Sequence, residues 1–304
     1  MKLPKAKNFK AEKYVAGLSL FKQKFARIKL SANESALGPS PNAVKEYIKV
    51  SKNFKRYPDS EGTFLRETIA KKFKLDNNRI ILGAGSDQIF EFVCKAFLNK
   101  NNEVIVSQYS FIIYRIYSKL NFAKIVYASE KNYTVSVDNI LACVTRKTKI
   151  VFIANPNNPT GTFINKNEIL RLRRKLRSDI LLVVDDAYFE YIGLKDYQSG
   201  LKLFSEYKNV IITRTFSKIY GLAGLRIGWG YSSKNIIDSL NKIKPPFNVS
   251  RPALFAASAA IKDTSWLNKE TRHIQKWSKK FYEIFKSLRI ETNKTSVNFH
   301  LINF

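Results

Sequence analysis

The sequence predicts an α/β protein whose mostly parallel sheet is covered on both faces by helices. Three observations lead there. Short apolar, β-rich runs alternate with runs of helical period through the middle of the chain. The apolar runs read as strands buried on both faces, as parallel strands are. Polar residues close those runs at their carboxyl ends, where sheets of this kind bind ligands.

Taken in order, RIILGAG (79–85) is a strand leading into the helix SDQIFEFVCKAFL, whose apolar positions 89, 90, 93 and 97 share one face. NEVIVSQYS (102–110) and AKIVYAS (123–129) are strands. KIVFIANPNNPTG (149–161) is a strand entering a Pro/Gly/Asn turn, and the basic helix KNEILRLRRKLRS follows. DILLVVDDAYFEY (179–191) and NVIITRTF (209–216) supply two more strands. Pro245-Pro246 breaks the chain before a new helical stretch, ALFAASAAI. The expected division is an N-terminal arm and lid (1–49), a large ligand-binding domain (50–245) and a smaller α+β domain (246–304). The chain stops in the strand-like SVNFHLINF, so that smaller domain is expected to be incomplete.

Composition narrows the function classes. Hydrophobic residues make up 45% of the 304 positions and aromatic ones 13%, which marks a folded chain. No apolar run approaches the roughly 18 residues of a membrane span, and MKLPKAKNFKAEKY lacks the apolar core of a signal peptide. Cys94 and Cys143 sit in separate apolar segments, and His273 and His300 lack metal-ligand spacing, so neither a disulfide framework nor a metal site is expected. A cytoplasmic location fits. The 53 basic and 24 acidic residues leave a net charge of +29, which raises nucleic-acid binding as a competing reading. The basic residues are dispersed without a nucleic-acid-binding motif, so solvated helix faces are the preferred explanation.

Four strand ends carry the chemistry: Gly85-Ser86-Asp87, Asn155 to Gly161, Asp185 to Tyr188, and Ser217-Lys218. Lys218, in TRTFSKIYGLAGLRIGWG (213–230), is a lone lysine among small and apolar neighbours. Such surroundings lower an amine's pKa toward that of a nucleophile, although a lysine snorkelling from a strand end has the same neighbours. Asp185 closes the run LLVV, where a buried carboxylate needs a cation: a protein side chain, or a protonated ring nitrogen. Tyr188 stands three residues on, as a core residue or a hydroxyl for the same ring. Gly85-Ser86-Asp87 opens a helix, as a plain cap or as a phosphate site. Ser217 and Arg226 offer a hydroxyl and a bidentate cation to the same dianion. An amine, a ring-nitrogen partner and a phosphate anchor together describe a site for pyridoxal 5′-phosphate.

NPNNPTG (155–161), VVDDAYFEY (183–191) and TFSKIYGLAGLRIGW (215–229) resemble the signature blocks of fold-type I pyridoxal-phosphate aminotransferases. KLSANESALGPSP (29–41) and RYPDSEG (56–62) resemble the histidinol-phosphate branch of that family. The resemblance implies that Lys218 bonds to the cofactor, that Asp185 pairs with its ring nitrogen, and that Asn158 and Tyr188 hydrogen-bond its ring oxygen. It makes Ser86, Asp87, Ser217 and Arg226 the phosphate cradle and Phe111 the ring-stacking aromatic. It also implies a homodimer in which Tyr57 reaches the partner's phosphate, and it puts Asn33 and Glu34 in a segment that closes over the substrate. The implied reaction transfers an amino group from L-histidinol phosphate to 2-oxoglutarate. An aromatic aminotransferase, a threonine-phosphate decarboxylase-like enzyme and a non-catalytic remnant remain as alternatives. The family's carboxylate-binding arginine lies beyond the segment matched by SVNFHLINF and has no counterpart before Phe304.

Overall fold

A computed structural model describes residues 7, 9–15, 29–204 and 206–303, so residues 1–6, 8 and 16–28 of the N-terminal arm lie outside the described residues. Among the described residues the first elements are α1 (Pro41–Ser51), α2 (Thr63–Phe73), β1 (Ile80–Gly83), α3 (Ser86–Phe97) and β2 (Glu103–Ser107). The chain continues through α4 (Ile112–Leu120), β3 (Lys124–Ala128), α5 (Val137–Ala142), β4 (Thr148–Ala154), α6 (Lys166–Lys175) and β5 (Leu181–Asp185). After α7 (Gly200–Phe204), β6 (Val210–Thr215) and β7 (Gly228–Tyr231) come α8 (Lys234–Asn241), α9 (Arg251–Lys262) and α10 (Thr264–Ser287). A small pair, β8 (Glu291–Thr292) and β9 (Ile302–Asn303), ends it.

Seven strands form one sheet in the order β1-β7-β6-β5-β4-β2-β3, parallel except that β7 runs antiparallel to both β1 and β6. The chain passes from β2 outward to β3, returns to β4, and then proceeds the other way through β5 and β6. Ligand crevices form at such a reversal, beyond the carboxyl ends of the strands.

Alternate residues of each central strand feed two separate cores. Leu182 and Val184 of β5 pack with Val151 and Ile153 of β4 on one face. Leu181 and Val183 pack with Ile150 and Phe152 on the other. Full burial of each such side chain stabilises the fold by about 1.5–3 kcal/mol, and helices on both faces make that burial complete. By the same alternation Asp185 falls on the face of Phe152, the side covered by α3 and α4.

Local chemistry sets the helix starts. Ser40 caps α1 ahead of Pro41, Asn165 caps α6, and Ser250 caps α9. The alanines of α9 let it pack closely on α1 and α2, with Thr68 and Ser258 hydroxyls 2.9 Å apart across the contact.

Three features differ from the sequence expectation. The strand β7 was not legible in GWGY, because two glycines dilute its strand character. SVNFHLINF forms only the two-residue β9 against β8, with Val297 buried ahead of it. In the basic helix α6, Arg173 is not solvated: it is 3% exposed. Its guanidinium donates to the carbonyls of Leu176, the C-cap of α6, and of Arg177 and Ile180 in the loop that follows.

Gly228 is required by close approach. A Cβ there would collide with Ser86 N, Gly85 C and Arg214 O, all backbone atoms. Gly228→Ala is therefore expected to destabilise the protein by more than about 1 kcal/mol, read from urea denaturation midpoints. An unchanged midpoint would contradict this packing.

Candidate active site

The register of the sheet lines up Ala154 of β4, Asp185 of β5 and Thr213 of β6 at their carboxyl ends. Asp185 is 5% exposed. Its Oδ2 accepts from the Tyr114 hydroxyl at 2.6 Å, and its Oδ1 accepts from Thr213 Oγ1 and the Ala187 N–H, each at 3.2 Å. Tyr114 lies flat on Phe152 at 4.9 Å and meets Phe90 and Phe111 edge-on. Burial pushes the Asp185 carboxyl up to about 7 against the lowering effect of the Tyr114 and Thr213 hydroxyls.

Lys218 follows β6 and is half-buried. Burial lowers its amine below the ordinary lysine value; Asp87 and Asp185 oppose that, and Arg226 adds to it. Its Nζ donates to Ala32 O at 3.2 Å and lies 5.5 Å from the centre of the Tyr188 ring. Desolvation is thus the main effect that lowers the proton affinity of this amine.

A cradle forms where α3 begins. Arg226, in the left-handed region at φ 49°, directs Nη1 to Ser217 Oγ at 3.3 Å and Nη2 to Asp87 Oδ2 at 3.4 Å. Gly85, at φ 84°, has no room for a side chain, since a Cβ would strike the Arg226 guanidinium. No side chain caps the first N–H groups of α3, which begins at Ser86. A guanidinium, a hydroxyl and free helix N–H groups suit a dianion.

Tyr188 is 3% exposed, and burial holds its phenol protonated. Its oxygen accepts from Asn33 Nδ2 at 3.2 Å and faces Asn158 Nδ2 at 3.5 Å. Asn33 is therefore drawn into the site from the N-terminal segment. Asn298 Nδ2 donates to the Asn33 and Glu34 carbonyls, and Ser35 donates to the buried Glu270. The Glu34 side chain turns to Lys29 at 2.7 Å.

The structure brings Lys218, Asp185, Tyr188, Asn158, Ser86, Asp87, Ser217, Arg226, Phe111 and Asn33 around one crevice. Tyr57 stands apart, 80% exposed and stacked on Phe247 at 4.6 Å. Sequence reasoning missed Tyr114 and Thr213, which hold Asp185. Tyr114 lies one helical turn from Phe111, which is the only signal the sequence carried for it. Also missed was a buried ion cluster behind the crevice: Arg214, 2% exposed, lies 3.8 Å from Asp186 and 3.9 Å from Glu190 and over the Phe189 ring. Among the described residues no group of acidic, histidine and cysteine side chains forms a metal site.

These residues fit pyridoxal phosphate. Asp185 has an unfilled acceptor position on Oδ2 for a ring N–H, the cradle suits the phosphate, and Lys218 is a desolvated amine. The sheet order and the strand-end groups define the fold type I architecture of pyridoxal-phosphate-dependent transferases. The family model for aminotransferase class I and II matches residues 26–302, and the chain belongs to that family. It is 50% identical to the histidinol-phosphate aminotransferase of Pelagibacter ubique (strain HTCC1062) over 304 residues, 100% of this chain and 84% of that protein. It is 45% identical to that of Rhodopseudomonas palustris (strain BisB18), covering 91% of this chain and 76% of that one. The crystal structure of histidinol-phosphate aminotransferase from Sinorhizobium meliloti in complex with pyridoxal-5′-phosphate superposes with a TM-score of 0.86 at 26% identity, over 89% of this chain and 74% of that one.

Burial raises Asp185 to about 7 and Asp186 to about 6. Protons bound by the folded chain therefore stabilise it fully below the ordinary carboxylate range, and that contribution is lost as pH rises through 6 to 7. Between about pH 4 and pH 8, cofactor-free Asp185→Asn is expected to gain stability relative to the wild type, by on the order of 4 kcal/mol. Urea midpoints measured across pH test this, and parallel profiles for the two proteins would contradict it.

Proposed function

We propose that this chain catalyses pyridoxal-phosphate-dependent transamination in histidine biosynthesis. L-Histidinol phosphate and 2-oxoglutarate would give imidazole acetol phosphate and L-glutamate. One observation carries this reading: the half-buried Lys218 and the buried Asp185 stand at neighbouring strand ends, in a chain half identical throughout to a histidinol-phosphate aminotransferase.

The bound cofactor supplies an electron sink for a carbanion at the substrate's α-carbon and carries the amino group between the two half-reactions. The chain's own residues do the rest. Asp185 keeps the ring nitrogen protonated, and its burial makes that ion pair strong. Ser86, Asp87, Ser217 and Arg226 hold the phosphate, with Asp87 orienting the guanidinium. Asn158 and Tyr188 would bind the ring oxygen, and Phe111 would pack beside the ring. The Lys218 amine would be the group that attaches the cofactor, and as a free amine it would take up the α-carbon proton as a general base and return it as an acid. Asn33 and Glu34 lie on the segment that covers the substrate, where Asn33 already meets Tyr188.

The same reading includes a homodimer in which Tyr57 reaches the partner's phosphate site. The exposed Tyr57 ring supports it, together with the cleft of about 640 Å³ that the ring borders with Arg56, Phe247 and Arg251. A cytoplasmic location also belongs to it, and Cys94 and Cys143 are free thiols.

Mixing the loaded protein with L-histidinol phosphate alone is expected to yield pyridoxamine phosphate. Lys218→Ala is expected to slow that half-reaction by about 10²–10⁴-fold or more. A wild-type protein that forms no pyridoxamine phosphate under these conditions would contradict the proposal. Light scattering is expected to give twice the mass of the single chain.

A further inference from the structure

We propose that Tyr114 is a positioning residue: its hydroxyl, bonded to Oδ2 of Asp185, holds that carboxyl as the anion facing the cofactor's ring nitrogen. This rests on the cofactor site described above and assigns a role to a residue outside it.

The geometry is specific. A carboxylate offers about four lone-pair positions for donors. In Asp185 two on Oδ1 are taken by Thr213 and the Ala187 N–H, and one on Oδ2 is taken by Tyr114, at 2.6 Å. One position on Oδ2 is left, so the donors already present select which lone pair a ring N–H meets. Tyr114 itself has little freedom. Its ring is fully buried, parallel to Phe152 within 7° and perpendicular to Phe90 within 1°. The α4 backbone carries it, and Ser118 Oγ bonds the Tyr114 carbonyl at 2.7 Å. A hydroxyl locked in this way fixes the plane of the carboxyl.

It also fixes the charge. A short O–H···O⁻ bond favours the ionised acid, whereas burial among Phe152, Phe90 and the strand ends favours the neutral one. The other groups facing Asp185 divide. Asp87 on α3 and the following Asp186 raise its proton affinity, and Lys218 after β6 is the nearby cation, whose own amine feels Asp185 as an opposite charge. With an anionic partner tight and directional, the proton shared with the ring stays on nitrogen. Without the hydroxyl, the carboxyl competes for that proton.

The test uses the holoenzyme loaded with pyridoxal phosphate labelled with ¹⁵N in its ring, followed by NMR as pH rises, with Asp185→Ala as the reference for an unsupported nitrogen. Tyr114→Phe keeps the stacking and removes only the hydroxyl. It is expected to lower the ratio of protonated to unprotonated ring nitrogen on the plateau around neutral pH, read from the ¹⁵N shift, by about tenfold. A fluorotyrosine at position 114, whose phenol is more acidic, is expected to move that ratio the opposite way, which a purely structural role would not do. If Tyr114→Phe fails to load, the fluorotyrosine protein decides alone. Ratios equal to the wild type in the variants that load would overturn the proposal while leaving the site intact. A wild type that does not load, or shows no protonated nitrogen, would remove the cofactor site and this role with it.

Discussion

One constraint governs the site: a carboxyl must be kept buried at the end of β5. The parallel register puts Asp185 between Ala154 and Thr213, and side-chain alternation turns it toward the aromatic layer of Phe152, Phe90 and Tyr114. A bare carboxylate in such a place is strongly disfavoured. The fold answers with three hydrogen-bond donors, which make the residue tolerable and leave it one partner short. In the proposed function a cationic ring nitrogen would complete the set, so the pairing proposed for Asp185 follows from how the sheet is packed.

The amine follows the same logic with the sign reversed. Lys218 is half-buried and burial lowers its pKa, while Asp87 and Asp185 hold it from falling further. The loop that carries it joins β6 to the antiparallel β7, and Gly228 lets β7 lie against the start of α3. That contact sets Arg226, Ser217 and the α3 N-terminus around one point. The proposed phosphate site and the proposed nucleophile thus share a single structural support. The buried cluster of Arg214, Asp186 and Glu190 stands on the opposite face of the same strands and balances the second carboxyl of the Asp185-Asp186 pair.

β1, β2, β4, β5 and β6 were legible because covered strands are continuous apolar runs, and the edge strand β3, with Lys124 and Tyr127 exposed, was legible from the β-branched Ile125 and Val126. β7 was not, since GWGY has the glycines demanded by its neighbours and not those of strand propensity. Lys218, Asp185, Asn158, Tyr188 and Arg226 were proposed from their distinctive neighbours and from the blocks they sit in, and the fold sets them near the carboxyl ends of the central strands. Tyr114 and Thr213 could not: a tyrosine in IIYRIYSKL and a threonine in VIITRT look like ordinary core residues until the sheet sets them beside Asp185. Arg173 and Arg214 show the same gap for charge. A lysine- and arginine-rich composition suggested solvated faces, and only tertiary packing reveals that the guanidiniums of Arg173 and Arg214 are enclosed.

The most direct measurement is borohydride reduction of the loaded protein followed by peptide mass mapping. The account expects the pyridoxyl-phosphate mass on the peptide containing Lys218 and its disappearance in Lys218→Ala. The mass on any other lysine of the folded wild-type protein, or on none, would contradict it.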